Sequence, residues 1–106
     1  MTAKTRRQMI EEQLAEDPND PFLRYGLAME HLGAGDAEAA VRCLRDLIAL
    51  NPGYVPAYQQ CAQALVRLGR TGEAAEMFRR GIAAARQKGD EHAAGEMQGM
   101  LDSLGE

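Results

Sequence analysis

Apolar residues recur at three- and four-residue intervals along almost the whole chain, interrupted by short polar breaks that carry glycine or proline. That spacing is the mark of amphipathic helices, and six are predicted. The first, residues 4–16, places Met9, Ile10, Gln13 and Leu14 on one face and stops ahead of Asp17-Pro18, because the residue before a proline resists the helical conformation. A second, residues 21–32, is capped by Asp20 with Pro21 in its first turn, where proline's missing N–H leaves nothing unpaired, and it breaks at Gly33-Ala34-Gly35. Asp36 caps a third, residues 37–50, which ends at Asn51-Pro52-Gly53. Pro56 opens a fourth that runs to residue 68 and stops at Gly69. Thr71 with Glu73 behind it starts a fifth, with Ala74, Ala75, Phe78 and Ile82 on its inner face and Gly89 at its close. Asp90 caps a sixth, residues 91–104, whose apolar face is Ala93, Met97, Met100, Leu101 and Leu104. Every connection is short, as antiparallel neighbouring helices require, so the chain reads as one domain.

Laid over itself with a step of 34 residues, the chain matches Pro18 with Pro52, Leu14 with Ile48 and Ile82, Ile10 with Leu44 and Phe78, and Gly35 with Gly69. Small residues match as well, Ala28 with Ala62 and Ala40 with Ala74. This period is the length of a helix–turn–helix unit that stacks on copies of itself. Such stacks act by shape, holding another polypeptide against a curved face.

Composition narrows the function further. Trp is absent and Phe and Tyr are few, so the core must lean on Ala, Leu, Ile and Met, a mixture that favours helix over sheet. A net charge of −4 argues against a sequence-independent grip on nucleic acid, and the Arg6-Arg7 and Arg79-Arg80 dyads read as solvated helix faces. The N-terminal residues have charge but no signal-peptide apolar run, and no stretch approaches a membrane span, so a cytoplasmic protein without membrane contact is expected. Cys43 and Cys61 fall within apolar helical patterns on different helices and serve as small hydrophobes, a reduced pair.

Candidate chemistry is sparse. His31 takes a partly buried packing place, and His92 with Glu96 offers two ligands on one helix where a metal site needs three or four. Gly33-Ala34-Gly35 is an interhelical turn and no strand precedes it, so it is no phosphate loop. Nothing sets a Cys beside a His and a carboxylate as an activated nucleophile. No catalysis, metal or cofactor is expected.

In this setting the repeat resembles the tetratricopeptide repeat, whose pattern is a large aromatic, Leu, a small residue and Tyr in the first helix, then Ala, an aromatic and a terminal Pro in the second. Residues 21–54 supply Arg24, Leu27, Ala28, His31, Ala40, Leu44 and Pro52 at these places; residues 55–88 supply Tyr58, Cys61, Ala62, Leu65, Ala74, Phe78 and Arg86. The small residues match best, and they stand where paired helices cross closely. Arg24 departs from the aromatic, with Phe22 and Tyr25 nearby, and Arg86 departs from the proline, which lets the fifth helix run on to Gln87 and Lys88. The resemblance implies an all-α, right-handed superhelical stack of about two and a half units: a half repeat over residues 4–18, two repeats, and a solvating cap over residues 90–104. The stretch 80–97 with Gly89-Asp90-Glu91-His92 is similar to that of small free-standing bacterial tetratricopeptide proteins.

The family lines its concave groove with the first helix of each unit. Carried over, that face is Phe22, Tyr25, Met29 and Leu32, then Gln59, Gln60, Gln63, Val66 and Arg67, with Phe22, Tyr25, Met29, Gln59, Gln63 and Arg67 as the candidate partner-binding residues and Tyr25 as the main anchor. Phe22 and Tyr25 could instead pack on the N-terminal helix, and Met77 is expected at the surface or the flank of the core. Some members clamp a partner's C-terminal carboxylate with Lys, Arg and Asn; the corresponding places hold Tyr25 and Met29, then Gln60, then Asp90 and Ala94, so the clamp is missing. A non-catalytic protein-binding module is expected. The competing expectation is a homo-oligomer that self-associates through the groove or through an open repeat end, since fewer than about three repeats bury little core.

Overall fold

Side-chain caps set most of the helix starts. The computed structural model describes residues 3–105, with α1 (Arg6–Glu16), α2 (Pro21–Gly33), α3 (Ala37–Leu50), α4 (Val55–Arg67), α5 (Thr71–Gln87) and α6 (Glu91–Ser103), and no strand among them. Thr5 and Gln8 form a reciprocal capping box at α1. Asp20, Asp36 and Asp90 accept from backbone N–H groups in the first turns of α2, α3 and α6. Each helix packs chiefly on its neighbours in the chain, giving an elongated all-α solenoid of 51 × 28 × 19 Å.

The 34-residue step is geometric as well as sequential. Pro21 and Val55 begin α2 and α4, and Ala37 and Thr71 begin α3 and α5. Ala28, Ala40, Ala62 and Ala74 are all fully buried, as close helix crossings demand. Arg24, which departs from the family pattern, does the same work as the aromatic one unit later. Its Nε donates to the carbonyl of Pro18 at 2.6 Å, and 34 residues on the Tyr58 hydroxyl donates to the carbonyl of Pro52 at 2.6 Å. A guanidinium and a phenol thus tie equivalent turns to equivalent helices.

The step breaks after α5. With Arg86 where the previous unit has Pro52, α5 continues through 17 residues against 14 in α3. It closes as α2 and α4 do, through a glycine in the left-handed region (Gly89, φ 77°) and a bond from the Asp90 N–H to the Ala85 carbonyl at 2.8 Å. α6 therefore begins at Glu91, 36 residues after Val55 and not 34. That slip corrects the equivalence drawn from the strict period: Ala94 is buried on the inner face of α6, and Asp90 is the residue that caps the helix. At the shifted places stand His92 and Glu96, which pair with each other at 2.7 Å, so a cationic clamp is lacking in this register too.

Phe78, Leu44, Leu47, Leu65, Met77 and Met97 form the centre of the core. Met77 is buried rather than peripheral, because α5 is covered by α4 on one side and α6 on the other. The tightest approach is at Gly81, which takes the place Leu47 holds one unit earlier. A Cβ on Gly81 would lie 2.6 Å from the Met97 sulfur and 2.6 Å from the Tyr58 Cβ. Three helices therefore meet over one missing methyl group, and Met97 brings α6 down onto α5.

Two opposite outcomes follow from replacing glycine by alanine. Gly81→Ala must push against a Cβ tied to the α4 backbone, and overpacking of about 1–3 kcal/mol outweighs a helix-propensity gain of about 1 kcal/mol, so the melting temperature should fall. Gly95 and Gly99 lie inside α6 with open space where a methyl group would stand, so alanine at either should raise stability by up to about 1 kcal/mol. Thermal melts of the three variants read both signs. Truncation after Gly89 should uncover Phe78 and Ile82 and cause concentration-dependent aggregation in light scattering; a truncated chain that melts like the intact one would deny α6 its capping role.

Candidate functional site

α1 is the least supported helix, and its position creates the main cleft. It packs chiefly on α2, burying Ile10 while Met9 on the same turn stays 47% exposed. Facing it, α2 turns out Phe22, which is 75% exposed and so does not pack on the N-terminal helix. Between them lies a cleft of about 480 Å³ walled by Met9, Ile10 and Gln13 of α1 and by Phe22, Tyr25 and Met29 of α2, with Arg6 at its edge. Gly26 adds to the opening, since a Cβ there would touch Ile10 Cδ1 at 3.6 Å and occupy part of the floor.

Tyr25 is held from the other side. Its ring lies 5.5 Å from that of Tyr54 at a tilt of 48°, a favourable aromatic geometry. Burial and the neighbouring Tyr54 raise its phenol above the ordinary tyrosine value, and a hydrogen bond with Gln60 opposes that rise. Tyr25 is thus a fixed wall that joins α2 to α4, and Phe22 is the side chain left free to meet a partner.

The expected glutamines divide between two smaller clefts. Gln59 and Gln60 line one between α4 and α6, with Pro56, Asp90 and Ala93. Gln63 and Val66 line another, with Phe78, Met100 and Leu104; the Gln63 amide approaches the Met100 sulfur at 3.6 Å. Arg67 is exposed at the end of α4 and lines none of these clefts. Phe22, Tyr25 and Met29 are therefore brought together, and the glutamines follow along α4 toward α6. The contribution of α1 was missed in the sequence, although Met9 beside Ile10 is the signal: adjacent residues stand about 100° apart on a helix, and α1 has chiefly α2 to cover them.

Cys61 and His31, the side chains with the most evident chemical potential, are buried. Burial pushes the Cys61 thiol up to about 11 despite Arg45 and Arg80, which favours the protonated, unreactive form. Cys43 is raised too, by burial and then by Asp46, and both cysteines are free. His31 is buried with its Nδ1 lacking a hydrogen-bond partner. No group of three metal-ligating side chains occurs among the described residues, and no described helix is long and apolar enough to cross a membrane. The arginine dyads make internal contacts: Arg6 with Glu30, Arg7 with Glu11, Arg79 with Glu76, and Arg80 over the Tyr58 ring at 5.7 Å.

Residues 31–96 match the tetratricopeptide repeat family. A TPR repeat-containing protein of Pseudomonas aeruginosa, PA0015, is 32% identical over 95 residues, which cover 90% of each chain. Among solved structures, a tetratricopeptide repeat domain protein from Salinibacter ruber is 34% identical, with 82% of this chain and 88% of that one aligned at a TM-score of 0.78. Protein BPP2914 from Bordetella parapertussis aligns over 97% of this chain and 90% of its own at a TM-score of 0.84 and 25% identity. With its fully buried crossing alanines, its repeated helix pairs and these relatives, the chain belongs to the tetratricopeptide repeat family.

Proposed function

We propose that this chain is a non-catalytic protein-interaction module of the cytoplasm that holds a partner segment along the face running from Phe22, Tyr25 and Met29 on α2 to Gln59, Gln63 and Arg67 on α4. The observation that carries this reading is Phe22, an aromatic 75% exposed at the mouth of an apolar cleft. An aromatic held that way gains nothing for the fold, whereas aromatic side chains entering or lining pockets dominate binding energy at interfaces. Tetratricopeptide repeats as a class bind protein partners, and a protonated, buried Cys61 suits a scaffold better than a catalyst. The division into a half repeat, two repeats and a cap fits the same reading, with α1 supplying one wall of the groove.

Self-association through an open repeat end has less support. Arg6 and Arg7 stand 34 residues before Ala40 and Val41 and 68 before Ala74 and Ala75, the buried places through which a second helix receives its partner. Charged side chains there resist continuation of the stack, as terminal repeats of such arrays require. Self-association through the groove is the form that an exposed Phe22 would support.

The test is to capture a partner from the native cell, purify it, and titrate it against the intact chain. Phe22→Ala and Tyr25→Ala should each weaken binding by at least about 2 kcal/mol, with Gln63→Ala smaller and Arg79→Ala on the outer face near zero. Calorimetry reads the affinities and circular dichroism checks that each variant is folded. Loss with Arg79→Ala alone would move the site to the convex side. Sedimentation at several concentrations distinguishes the homo-oligomer, in which Phe22→Ala dissolves self-association instead.

A further inference from the structure

Charge is divided unevenly along the chain. All 12 Lys and Arg precede Gly89 together with 11 of the 16 acids, so residues 1–88 carry +1. The other five acids, Asp90, Glu91, Glu96, Asp102 and Glu106, give residues 89–106 a charge of −5 with neutral His92, and thereby the whole −4 of the protein. The groove follows this gradient. Its α1–α2 end is apolar, with Arg6 opposed by Glu30; its middle is amide; its α6 end opens on Asp90.

We propose that the segment held in this groove is basic and amphipathic, seating a bulky apolar side chain in the α1–α2 cleft and a Lys or Arg against Asp90 in the α4–α6 cleft. The proposal rests on the groove reading above and adds its chemistry. Gln59 and Gln60 stand between the two stations with donors and acceptors suited to the backbone of a bound segment. One oxygen of Asp90 accepts from the Ala93 N–H as the cap of α6, and the carboxylate keeps further lone pairs for a cation. Arg67 at the far end of α4 and Lys88, whose Cε would meet a Cβ on Gly53 at 3.1 Å, are cations at the edges of this region, and His92 is paired with Glu96. Set against the five acids of residues 89–106, these two cations leave a net charge of −3. The carboxylates of residues 89–106 draw a basic segment toward this end, and an acidic or carboxylate-terminated one is repelled.

A peptide library displayed on phage, panned on the intact 106-residue chain, supplies the probes, and the selected peptides are synthesised with amidated C-termini for fluorescence anisotropy. Selected peptides should share a Lys or Arg and a large apolar residue. Phe22→Ala should weaken them about thirtyfold. Asp90→Asn keeps the helix cap, since Asn caps as well as Asp, and removes only the charge; it should weaken them about two- to fivefold and flatten the salt dependence. Peptides that respond to Phe22→Ala but are acidic, or are indifferent to Asp90→Asn and to salt, overturn the basic partner and leave the groove standing. Peptides indifferent to Phe22→Ala as well, or a library without binders, overturn both. Self-association abolished by Phe22→Ala would give the cleft to a second copy and equally overturn the proposal.

Discussion

The close crossing of paired helices is the constraint on which everything else rests. Ala28, Ala40, Ala62 and Ala74 have no exposed surface, and their small side chains let α2 meet α3 and α4 meet α5 at a spacing where Leu44, Leu47, Leu65 and Phe78 can fill the space alongside. With so few aromatics, that spacing is what makes a chain of mostly small residues dense enough inside to be stable. At the C-terminal end the same principle goes further. Gly81 removes even the methyl group, and Met97 and Tyr58 close over it.

Much of this architecture could be read from the residues, because the cues were local and repeated. Aspartates at three helix starts, glycines at the ends and a common 34-residue step located six helices to within a residue or two. Arg86 in place of proline announced the longer α5. What escaped was the consequence of that longer helix: two extra residues shift the register of α6, and periodicity alone cannot report a slip that occurs after the last full period. Gly81 escaped for a different reason. A glycine inside a helix looks like a weakness unless its neighbours in space are known, and here they come from positions 58 and 97.

The candidate groove was legible in outline and not in its detail. Phe22, Tyr25 and Met29 do share a cleft, whereas the glutamines fall into separate depressions and Arg67 stands apart. The division of labour between Phe22 and Tyr25 depends on Tyr54, a turn residue with no helical phase to place it. The wall supplied by α1 depends on how far one helix leaves its neighbour uncovered, which is a property of packing and not of pattern.

The glycines at positions 95 and 99 have a bearing on how the molecule comes apart. Because contacts run mainly between helices adjacent in sequence, opening can start at either end without disturbing the middle. α6 has two residues in its interior that contribute no side chain and lose the most backbone freedom on ordering, yet with Tyr58 of α4 it covers the Gly81 seam. The seal on this end of the core is therefore weakened from within its own helix. Opening of α6 bares Phe78 to the solvent while the rest of the stack stays folded.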